Sequence, residues 1–368
     1  MRRHVNPRIA GLSPYRPGKP VSELARELGL TDIVKLASNE NPRGPGASVR
    51  DAIMAATGGL SRYPDGSGYG LKHALAGRLG VEPAQITLGN GSNDVLNLVA
   101  RMALTPGARG VIADHAFVVY SLAVTICGGE LVKVPARNYG ADLTAMAEAV
   151  DERTAVIFLA NPNNPTGTWV TEPELVAFLD AVPASVWVVL DEAYFEYVEL
   201  ADYPDGVRLL DRYPNLIVTR TFSKIHGLAA LRAGYAVSSA EAADLLNRAR
   251  EPFNVNALAL AGAEAALADD EFVAESRRLN REGLAVVTAG LDARSLPYIP
   301  SAGNFVTFEV PPGFEDGAAV YQALLREGVI VRPVAEYGLP RHLRVTVGLP
   351  AENERFLAAL DRVLSGAR

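Results

Sequence analysis

Short apolar and β-branched runs alternate with helical patterns from about residue 85 onward, and this alternation constrains the fold more than any other feature of the chain. Several runs are apolar throughout, as expected of strands that helices cover on both faces. Most intervals between runs are roughly a dozen residues or longer, which favours parallel pairing through crossovers. The pattern predicts an α/β fold with a central, mostly parallel sheet, whose strands lie at Ile86–Leu88, Gly110–Ala113, Leu131–Val134, Ala155–Ala160, Val186–Leu190, Leu216–Thr219 and Ala233–Val237.

The pattern changes after Asn254, where a second, smaller α+β unit is predicted. It should contain a long helical region through about Asp292 and a last helix with one apolar stripe, which includes Phe356 and Leu360. Between these we expect a strand near Phe305–Val310, a helix near Gly317–Glu327 and strands near Val329–Val331 and Leu343–Val347. The predicted organisation is an arm of residues 1–32, a large domain of residues 33–262 and a small C-terminal domain of residues 263–368.

The composition of the 368 residues excludes several classes of protein. Hydrophobic residues make up 49% and charged residues 21%, which excludes a disordered or fibrous chain. A net charge of -7 without a long basic run argues against a nucleic-acid surface. The single cysteine, Cys127, cannot form an internal disulfide, and the five histidines form no metal motif. With no secretory signal and no apolar stretch that would span a bilayer, we expect a cytoplasmic protein without a metal site.

The glycine-rich turn Gly89–Asp94 follows a predicted strand and opens a predicted helix. Free backbone N–H groups and the helix dipole at such a turn can hold a phosphate. The alternative is that Ser92 or Asn93 is an ordinary helix cap. A carboxylate at Asp94, where a dinucleotide fingerprint has its third glycine, would repel a pyrophosphate.

Polar residues also follow two predicted strands at the edge where open α/β sheets bind ligands. The segment Asn161–Gly167 follows one strand, and Asp191 to Tyr194 follow the next. The asparagines and prolines could serve turn geometry alone, and Asp191 could cap the following turn. A buried carboxylate is nevertheless costly unless a cation or hydrogen-bond donors accompany it.

A third strand ends in the segment Arg220–Lys224, with Arg232 eight residues after the lysine. Most lysines are simply solvated, but one in an apolar strand end loses its proton more easily and becomes a nucleophile toward carbonyl carbon. Pyridoxal 5′-phosphate requires such a lysine for its aldehyde, a carboxylate for its pyridine nitrogen, donors for its ring hydroxyl and a phosphate cup. The three strand ends together match that set.

In these segments the chain resembles the fold type I pyridoxal-phosphate aminotransferases, and within them the histidinol-phosphate aminotransferase family. The resemblance extends over nearly the whole chain, and its short motifs occur in the family's order. They are Ser13–Tyr15, Leu36–Pro42, Arg62–Gly66, Gly89–Asp94, Asn161–Gly167, Asp191–Tyr194, Thr221–Lys224 with Arg232, and Leu343–Gly348. His115–Ala116 and Ala230 depart from the family pattern, in which Pro-Thr and Gly are frequent, and neither departure removes a catalytic group.

The resemblance implies a role for each residue that matches a family motif. Lys224 would bind the cofactor aldehyde covalently, Asp191 would pair with the pyridine nitrogen, and Asn164 and Tyr194 would donate hydrogen bonds to the ring oxygen. Phe117 would stack on the ring. The phosphate would be held by Ser92, Asn93, Thr221, Ser223 and Arg232.

The same resemblance implies a partner chain and a substrate site. In this family the tyrosine at the position of Tyr63 reaches the cofactor phosphate of the other subunit, which implies a homodimer; a loop tyrosine packed within its own chain is the alternative. Arg344 would bind the acidic end of both substrates, with Tyr15, Asn41 and Arg332 as companions.

The implied reaction converts L-histidinol phosphate and 2-oxoglutarate to imidazole acetol phosphate and L-glutamate, within histidine biosynthesis. An aromatic amino acid aminotransferase would use the same residues and differ only in its substrate pocket. A threonine-phosphate decarboxylase-like lyase of the same fold would release carbon dioxide without an oxo-acid acceptor. A cofactor-binding regulator usually carries an additional DNA-binding domain, for which we expect no room in this chain.

Overall fold

The computed structural model of the chain describes residues 7–14 and 17–366. Its strands are Val34–Lys35 (β1), Ile86–Gly89 (β2), Arg109–Ala113 (β3), Glu130–Val134 (β4), Thr154–Ala160 (β5), Trp187–Asp191 (β6), Leu216–Thr221 (β7), Gly234–Ser238 (β8), Tyr298–Ile299 (β9), Phe305–Glu309 (β10), Val329–Ile330 (β11), Arg332–Pro333 (β12) and His342–Thr346 (β13). Its α-helices are Pro7–Ala10 (α1), Val21–Leu28 (α2), Ala47–Ala56 (α3), Tyr69–Leu79 (α4), Ser92–Ala103 (α5), Val118–Ile126 (α6), Leu143–Glu148 (α7), Glu172–Ala181 (α8), Ala240–Ala249 (α9), Ala257–Leu267 (α10), Asp270–Asp292 (α11), Gly317–Arg326 (α12) and Pro350–Ser365 (α13).

Seven strands form a central sheet in the order β2-β8-β7-β6-β5-β3-β4. The pairs among β7, β6, β5, β3 and β4 are parallel, whereas β8 is antiparallel to both of its neighbours. All seven strands predicted from the sequence lie in this sheet, and the expectation of a mostly parallel sheet is confirmed. Because β8 alone is reversed, the carboxyl ends of the other six strands lie at one edge.

Helices cover both faces of this sheet, which explains the uninterrupted apolar runs. Successive strand residues alternate between two hydrophobic cores: Ile157, Val188 and Val218 lie in one core, whereas Phe158 and Val189 lie in the other. Side chains of a strand point to opposite faces in turn, so a strand that is covered on both sides needs apolar residues at every position.

A second sheet of four antiparallel strands, in the order β12-β13-β10-β9, forms the C-terminal unit. Its core contains Phe308 and Val345 of the sheet together with Phe356 and Leu360 of α13. Strand β1, far away in sequence, pairs in parallel with β11. The domain division at residues 32/33 and 262/263 remains a prediction, and the structure adds that residues 34–35 pair with the C-terminal unit.

The long helical region predicted up to Asp292 is two helices, α10 and α11. Asp269 separates them because its side chain accepts a hydrogen bond from the backbone N–H of Phe272 and thereby caps α11. The break divides the packing, since α10 packs against α3 and α11 packs against α13.

None of the helices in the described parts of the chain combines the length and the apolar character that crossing a membrane requires.

Candidate active site

A cavity of about 180 Å³ opens at the carboxyl edge of the central sheet and is closed on its other side by the C-terminal unit. Most of the residues predicted for the site line this cavity, although many are far apart in sequence. They are Ser92, Asn93, Phe117, Asn164, Asp191, Tyr194, Thr221, Ser223, Lys224, Arg232, Arg332 and Arg344. Asn41 and Tyr63 do not line it, and the predicted contact of Tyr15 lies outside the described residues.

Lys224 lies in the connection after β7. Its Nζ is 3.4 Å from the carbonyl oxygen of Ser38 and 5.5 Å from the ring centroid of Tyr194. Burial lowers the pKa of Lys224 to about 8, and the positive charges of Arg344 and Arg232 act in the same direction. A substantial fraction of the amine is therefore neutral near pH 8, and only a neutral amine is a nucleophile.

Asp191 is the last residue of β6 and lies at the floor of the cavity with 5% of its surface exposed. Its Oδ2 accepts a hydrogen bond from the Tyr120 hydroxyl at 2.7 Å, and its Oδ1 accepts one from the Thr219 hydroxyl at 3.0 Å. Burial raises the pKa of the Asp191 carboxyl, while these two hydrogen bonds and the charge of Lys224 oppose the rise. The arrangement holds a carboxylate in one orientation, facing a cavity in which a cationic partner would stabilise it.

Tyr120 is a site residue that the sequence analysis missed. It is fully buried in α6, where its ring stacks on Phe158 at 5.3 Å and meets the edge of Phe117 at 5.8 Å. Phe117 and Tyr120 are three residues apart and therefore share one face of the first helical turn. That spacing is the signal that would have revealed Tyr120.

The glycine-rich turn Gly89–Asp94 leads into the N-terminus of α5. The cap residue is Gly91, at φ 82°, and no side chain caps this helix, so the alternative of Ser92 or Asn93 as an ordinary cap is wrong. The Arg232 guanidinium lies against this turn: a Cβ on Gly91 would lie 2.4 Å from Arg232 Nη2. Arg232 also donates a hydrogen bond to the Ser223 hydroxyl at 3.1 Å. Backbone N–H groups, hydroxyls and a guanidinium thus converge at a helix N-terminus, a chemistry suited to an anion.

The carboxylate of Asp94 does not oppose an anion here. Its Oδ2 accepts hydrogen bonds from the backbone N–H of Asn90 at 2.9 Å and from Asn254 Nδ2 at 2.8 Å. These donors hold the Asp94 side chain on the outer side of the turn, and Asp94 does not line the cavity.

The three asparagines of the loop after β5 differ in position: two hold the loop together, and one faces the cavity. Asn161 holds the loop, because its Oδ1 accepts a hydrogen bond from Val170 N–H at 2.9 Å. Asn163 does the same through the Thr166 hydroxyl at 2.8 Å. Only Asn164 presents its side chain to the cavity, where its Oδ1 accepts a hydrogen bond from Arg344. Asn161 and Asn163 therefore serve the turn, whereas a ligand contact of Asn164 stays a prediction.

The wall opposite the sheet contributes two buried arginines. Arg332 of β12 and Arg344 of β13 are directly paired across the second sheet, with 7% and 6% of their surfaces exposed. Arg344 donates to the carbonyl oxygen of Ala37 at 2.7 Å, and Arg332 forms an ion pair with Glu336. Two guanidinium groups thus line the same cavity, and this group type suits a carboxylate or a phosphate.

Comparison with known proteins agrees with this geometry. The family model for aminotransferase class I and II matches residues 31–360. Histidinol-phosphate aminotransferase 2 of Pseudomonas fluorescens is 57% identical over 365 residues, covering 99% of this chain and 98% of that protein. The protein of the same name from Pseudomonas aeruginosa is 57% identical over 363 residues, covering 98% of each chain. This chain belongs to the histidinol-phosphate aminotransferase family of class I and II aminotransferases.

The solved structures include an aminotransferase of the same name with the same fold. The histidinol-phosphate aminotransferase of Sinorhizobium meliloti, in complex with pyridoxal-5′-phosphate, superposes with a TM-score of 0.90 at 31% identity, covering 100% of this chain and 99% of that one. The predictions of family and of fold type I are confirmed.

Asn41, for which the family resemblance implied a substrate contact, does not line the cavity. Its Nδ2 donates to the carbonyl oxygen of Ile225 at 2.6 Å and to the Ser276 hydroxyl at 3.0 Å, so its side chain ties the loop to the protein. Asn39 lines the cavity instead, and its Nδ2 donates to the Tyr194 hydroxyl at 2.8 Å. Because the main chain at Asn39 has φ 55°, the segment turns, and a simple alternation of faces does not predict which asparagine points inward.

Tyr63 lies outside the cavity of its own chain. Its side chain is 82% exposed and stacks on Phe253, with the ring centroids 4.7 Å apart. Met54, Leu60 and Tyr69 are also large, apolar or aromatic, and exposed. Aromatic residues exposed in this way are typical of interfaces in assembled proteins.

A buried ion pair lies behind the site and was also missed. Arg220 of β7 donates to Glu192 at 2.7 Å and to Asp205 at 2.7 Å, and its guanidinium lies 3.5 Å from the ring centroid of Phe195. The Arg220–Glu192 pair links the ends of β6 and β7, the strands that present Asp191 and Lys224. Removing one partner of such a pair would leave an uncompensated buried charge.

Proposed function

We propose that this protein transfers the amino group of L-histidinol phosphate to 2-oxoglutarate, yielding imidazole acetol phosphate and L-glutamate in histidine biosynthesis, with pyridoxal 5′-phosphate as cofactor. The observation that carries the proposal is the pairing, within one cavity, of a buried lysine of lowered pKa with two buried arginines. The 57% identity with histidinol-phosphate aminotransferase 2 over nearly the whole chain supports the choice of substrate.

The residues of the cavity fit this cofactor. A Cβ on Gly234 would lie 2.3 Å from Ser92 N, and a Cβ on Gly91 would collide with the Arg232 guanidinium, so glycine at both positions lets β8 and Arg232 approach the N-terminus of α5 closely. Ser92, Asn93, Thr221, Ser223 and Arg232 would hold the phosphate. Lys224 would hold the aldehyde, Asp191 would face the pyridine nitrogen, Asn164 and Tyr194 would contact the ring oxygen, and Phe117 would lie on the ring.

The bound cofactor supplies an electron-withdrawing ring that stabilises negative charge at the substrate α-carbon. Lys224, once free, would move the proton at that carbon as general base and acid. An amine with a pKa of about 8 can both accept and return a proton near neutral pH. Asp191, fixed by Tyr120 and Thr219, would keep a negative charge at the far side of the cavity.

The arginines would bind the acidic group at the end of each substrate. A guanidinium offers two parallel donors to phosphate or carboxylate oxygens, so the same pair serves histidinol phosphate and glutamate. Arg344 is held by Ala37 and Asn164, which fixes the distance between the bound anion and Lys224.

The proposal is tested by stopped-flow absorbance of the cofactor-loaded protein mixed with L-histidinol phosphate or with L-phenylalanine. A far higher specificity constant for L-histidinol phosphate is expected. If phenylalanine equals or exceeds it, the protein is an aromatic amino acid aminotransferase. Release of carbon dioxide from threonine phosphate without an oxo-acid acceptor would instead indicate a lyase.

We also propose a homodimer in which Tyr63 contacts the cofactor phosphate of the other subunit. The exposed stack of Tyr63 on Phe253, together with the exposed side chains of Met54, Leu60 and Tyr69, supports this arrangement. Lys224→Ala and Tyr63→Ala protomers, each weakly active alone, should regain activity when mixed, because each mixed dimer contains one site with both residues intact. A monomer in sedimentation, or mixtures no more active than their components, would contradict the proposal.

A cytoplasmic location is proposed from the single cysteine, which fits a reducing compartment. Cell fractionation with an antibody against the protein tests it, and recovery outside the cytoplasmic fraction would refute it.

A further inference from the structure

Asn39 is held by the C-terminal unit at the point where its side chain enters the cavity. The residue is buried and lines the cavity, and its main chain has φ 55°. Its backbone N–H donates to the hydroxyl oxygen of Thr346, in β13, at 2.9 Å. Its carbonyl oxygen accepts a hydrogen bond from Asn304 Nδ2 at 3.1 Å. The backbone of Asn39 is therefore fixed, and the orientation of its side-chain amide decides what it offers to the cavity.

The hydroxyl of Thr346 determines that orientation. Because a backbone N–H can only donate, Thr346 Oγ1 acts as acceptor toward the main chain of Asn39. Within the described part of the chain, the acceptor in reach of the hydroxyl hydrogen is Asn39 Oδ1, at 3.1 Å. Thr346 is buried, and a buried hydroxyl whose hydrogen lacks an acceptor is costly. The hydroxyl therefore donates to Oδ1, and Nδ2 of the amide faces the other way.

Nδ2 of Asn39 meets the hydroxyl of Tyr194 at 2.8 Å and donates to its oxygen. An amide NH₂ group cannot accept a hydrogen bond, so the hydrogen of the Tyr194 hydroxyl is not taken up by Asn39. Burial raises the pKa of Tyr194, although the charge of Arg344 and the bond from Asn39 oppose the rise. The hydroxyl therefore keeps its hydrogen and is free to donate it within the cavity.

We propose that Thr346 is a positioning residue that sets the direction of the Asn39–Tyr194 hydrogen bond and thereby makes Tyr194 a donor to the ring oxygen of the cofactor. The inference rests on the proposed function, in which Tyr194 contacts that oxygen. Thr346 itself does not line the cavity. Without its hydroxyl, the Asn39 amide can turn over and present Oδ1 to Tyr194, whose hydrogen then points away from the cofactor.

The test is a spectrophotometric pH titration of the holoenzyme without any amino donor. A hydrogen bond donated to the ring oxygen stabilises its negative charge, so losing the donor raises the pKa at which the absorbance of the bound cofactor changes. Tyr194→Phe should raise this pKa by about one unit and Thr346→Val by about half a unit. Thr346→Ser, which keeps the hydroxyl, should leave it unchanged. Thr87→Val is the matched control, because Thr87 is also a buried strand threonine but does not line the cavity.

A double-mutant cycle separates this role from a merely structural one. In the Tyr194→Phe holoenzyme, Thr346→Val should cause no further rise of the pKa, because no tyrosine hydrogen is left to redirect. The charged groups that act on Tyr194, namely Asp191, Lys224 and Arg344, are the same in every variant. An equal rise in both backgrounds, or no rise with Thr346→Val alone, overturns the role of Thr346.

Asn39→Asp tests the same bond in a chain that keeps its buried hydrogen bonds. Thr346→Val also deprives the Asn39 backbone N–H of its acceptor, whereas an aspartate still accepts from Thr346 and tolerates the positive φ. A carboxylate offers no donor, so Tyr194 must donate to it. The pKa should rise by about one unit or more, and by less in the Tyr194→Phe background, where only the added charge acts. Equal rises in the two backgrounds contradict the inference.

The outcomes distinguish this inference from the proposed function. If Tyr194→Phe leaves the pKa unchanged, the proposed contact of Tyr194 is wrong and the inference falls with it. If Tyr194→Phe raises the pKa but Thr346→Val does not, only the inference falls. If the holoenzyme rejects L-histidinol phosphate while the cycle behaves as expected, the proposed substrate is wrong and the role of Thr346 stands.

Discussion

The cavity has two walls of different construction. The wall that we propose for the cofactor, called the cofactor wall below, comes from one sheet: Asp191 ends β6, Lys224 and Arg232 lie between β7 and β8, and Ser92 begins α5 after β2. The substrate wall is assembled from distant parts of the chain, with Arg332 and Arg344 from the second sheet and Ala37 and Asn39 from the N-terminal segment.

The walls also differ in how their charges are satisfied. Asp191 is bound by Tyr120 and Thr219, which are themselves buried and would remain in place throughout a reaction cycle. The arginines bind a carbonyl, an amide and the carboxylate of Glu336, which are groups that an incoming anion can replace. We therefore expect one wall to hold a resident group and the other to exchange its occupants, and the following predictions separate the two.

Replacement of Lys224 by Ala should reduce turnover by about 10⁴-fold or more, because both the attachment point and the proton-transferring amine are lost. Steady-state assays of holoenzyme measure the loss, and the exposed Lys133→Ala is the control. Normal turnover of the Lys224→Ala enzyme would show that Lys224 neither holds the cofactor nor transfers the proton.

Replacement of Arg344 by Lys should lower the specificity constants for both substrates by about 100-fold, chiefly through KM, because a single ammonium cannot reproduce two parallel guanidinium contacts. The exposed Arg326→Lys at the end of α12 provides the comparison. A decrease in the specificity constant for only one of the two substrates would show that the two anions do not share this arginine.

In the cofactor-free protein, Lys224→Met should be more stable than wild type by about 3 kcal/mol at neutral pH. The pKa of Lys224 is about 8 in the folded protein and 10.5 ordinarily, so between these values the unfolded chain binds more protons and wild-type stability rises with pH. The difference between the two proteins should therefore vanish as the pH passes from about 8 to about 10.5. Urea unfolding at one protomer concentration measures this difference in the free energy of unfolding. A difference that does not change with pH would mean that the Lys224 amine lies in solvent.

Tyr120→Phe should decrease kcat by about tenfold, since a hydrogen bond to a charged group contributes about 1.5 kcal/mol or more. The ring packing stays intact, so the loss reports on the orientation of Asp191. Tyr213→Phe is a matched control, because Tyr213 donates to Asp180 at 2.7 Å far from the cavity. Equal effects of the two changes would mean that Tyr120 is only a packing residue.

The smallest effect on activity is expected for Asn41→Ala, within about threefold of wild type, while its stability should fall by about 1–3 kcal/mol because buried acceptors lose a donor. Asn39→Ala should instead reduce activity by about tenfold, through the lost contact with Tyr194. Steady-state kinetics and denaturant unfolding of both variants measure these changes. A larger loss of activity in Asn41→Ala than in Asn39→Ala would show that Asn41 belongs to the site.

The cofactor wall was largely predictable from the sequence, and the reason is local. A short apolar run predicts a buried strand. The polar residues that follow such a run, Asp191 in one case and Ser223 and Lys224 in another, are then the side chains at the end of that strand. The direction of β8 was not separately predictable, because a strand that is covered on both faces has the same composition in either direction.

The substrate wall was less predictable because it depends on contacts between distant segments. Whether Asn39 or Asn41 faces the cavity depends on one turn of the backbone at Asn39. The link between Arg344 and Asn164 joins residues of different sheets, and no local pattern reports such a contact. Glu336 lies four residues after Arg332, and side chains at this spacing usually meet on one face of a helix. Here Arg332 lies in a strand and Glu336 in a short 3₁₀ turn.

The reversal of β8 has a topological consequence for the site. Because β7 and β8 are antiparallel, with Thr221 opposite Gly234, residues 222–233 leave the sheet and return to it at the same edge. A parallel successor would have to begin at the opposite edge, and its crossover would carry the chain away from the cavity. Lys224 and Arg232 therefore belong to one short loop, whose ends are held by adjacent strands. Closing so short a loop costs little conformational entropy. The amine and the guanidinium keep their mutual position as a single unit, so an insertion in this loop would disturb both at once.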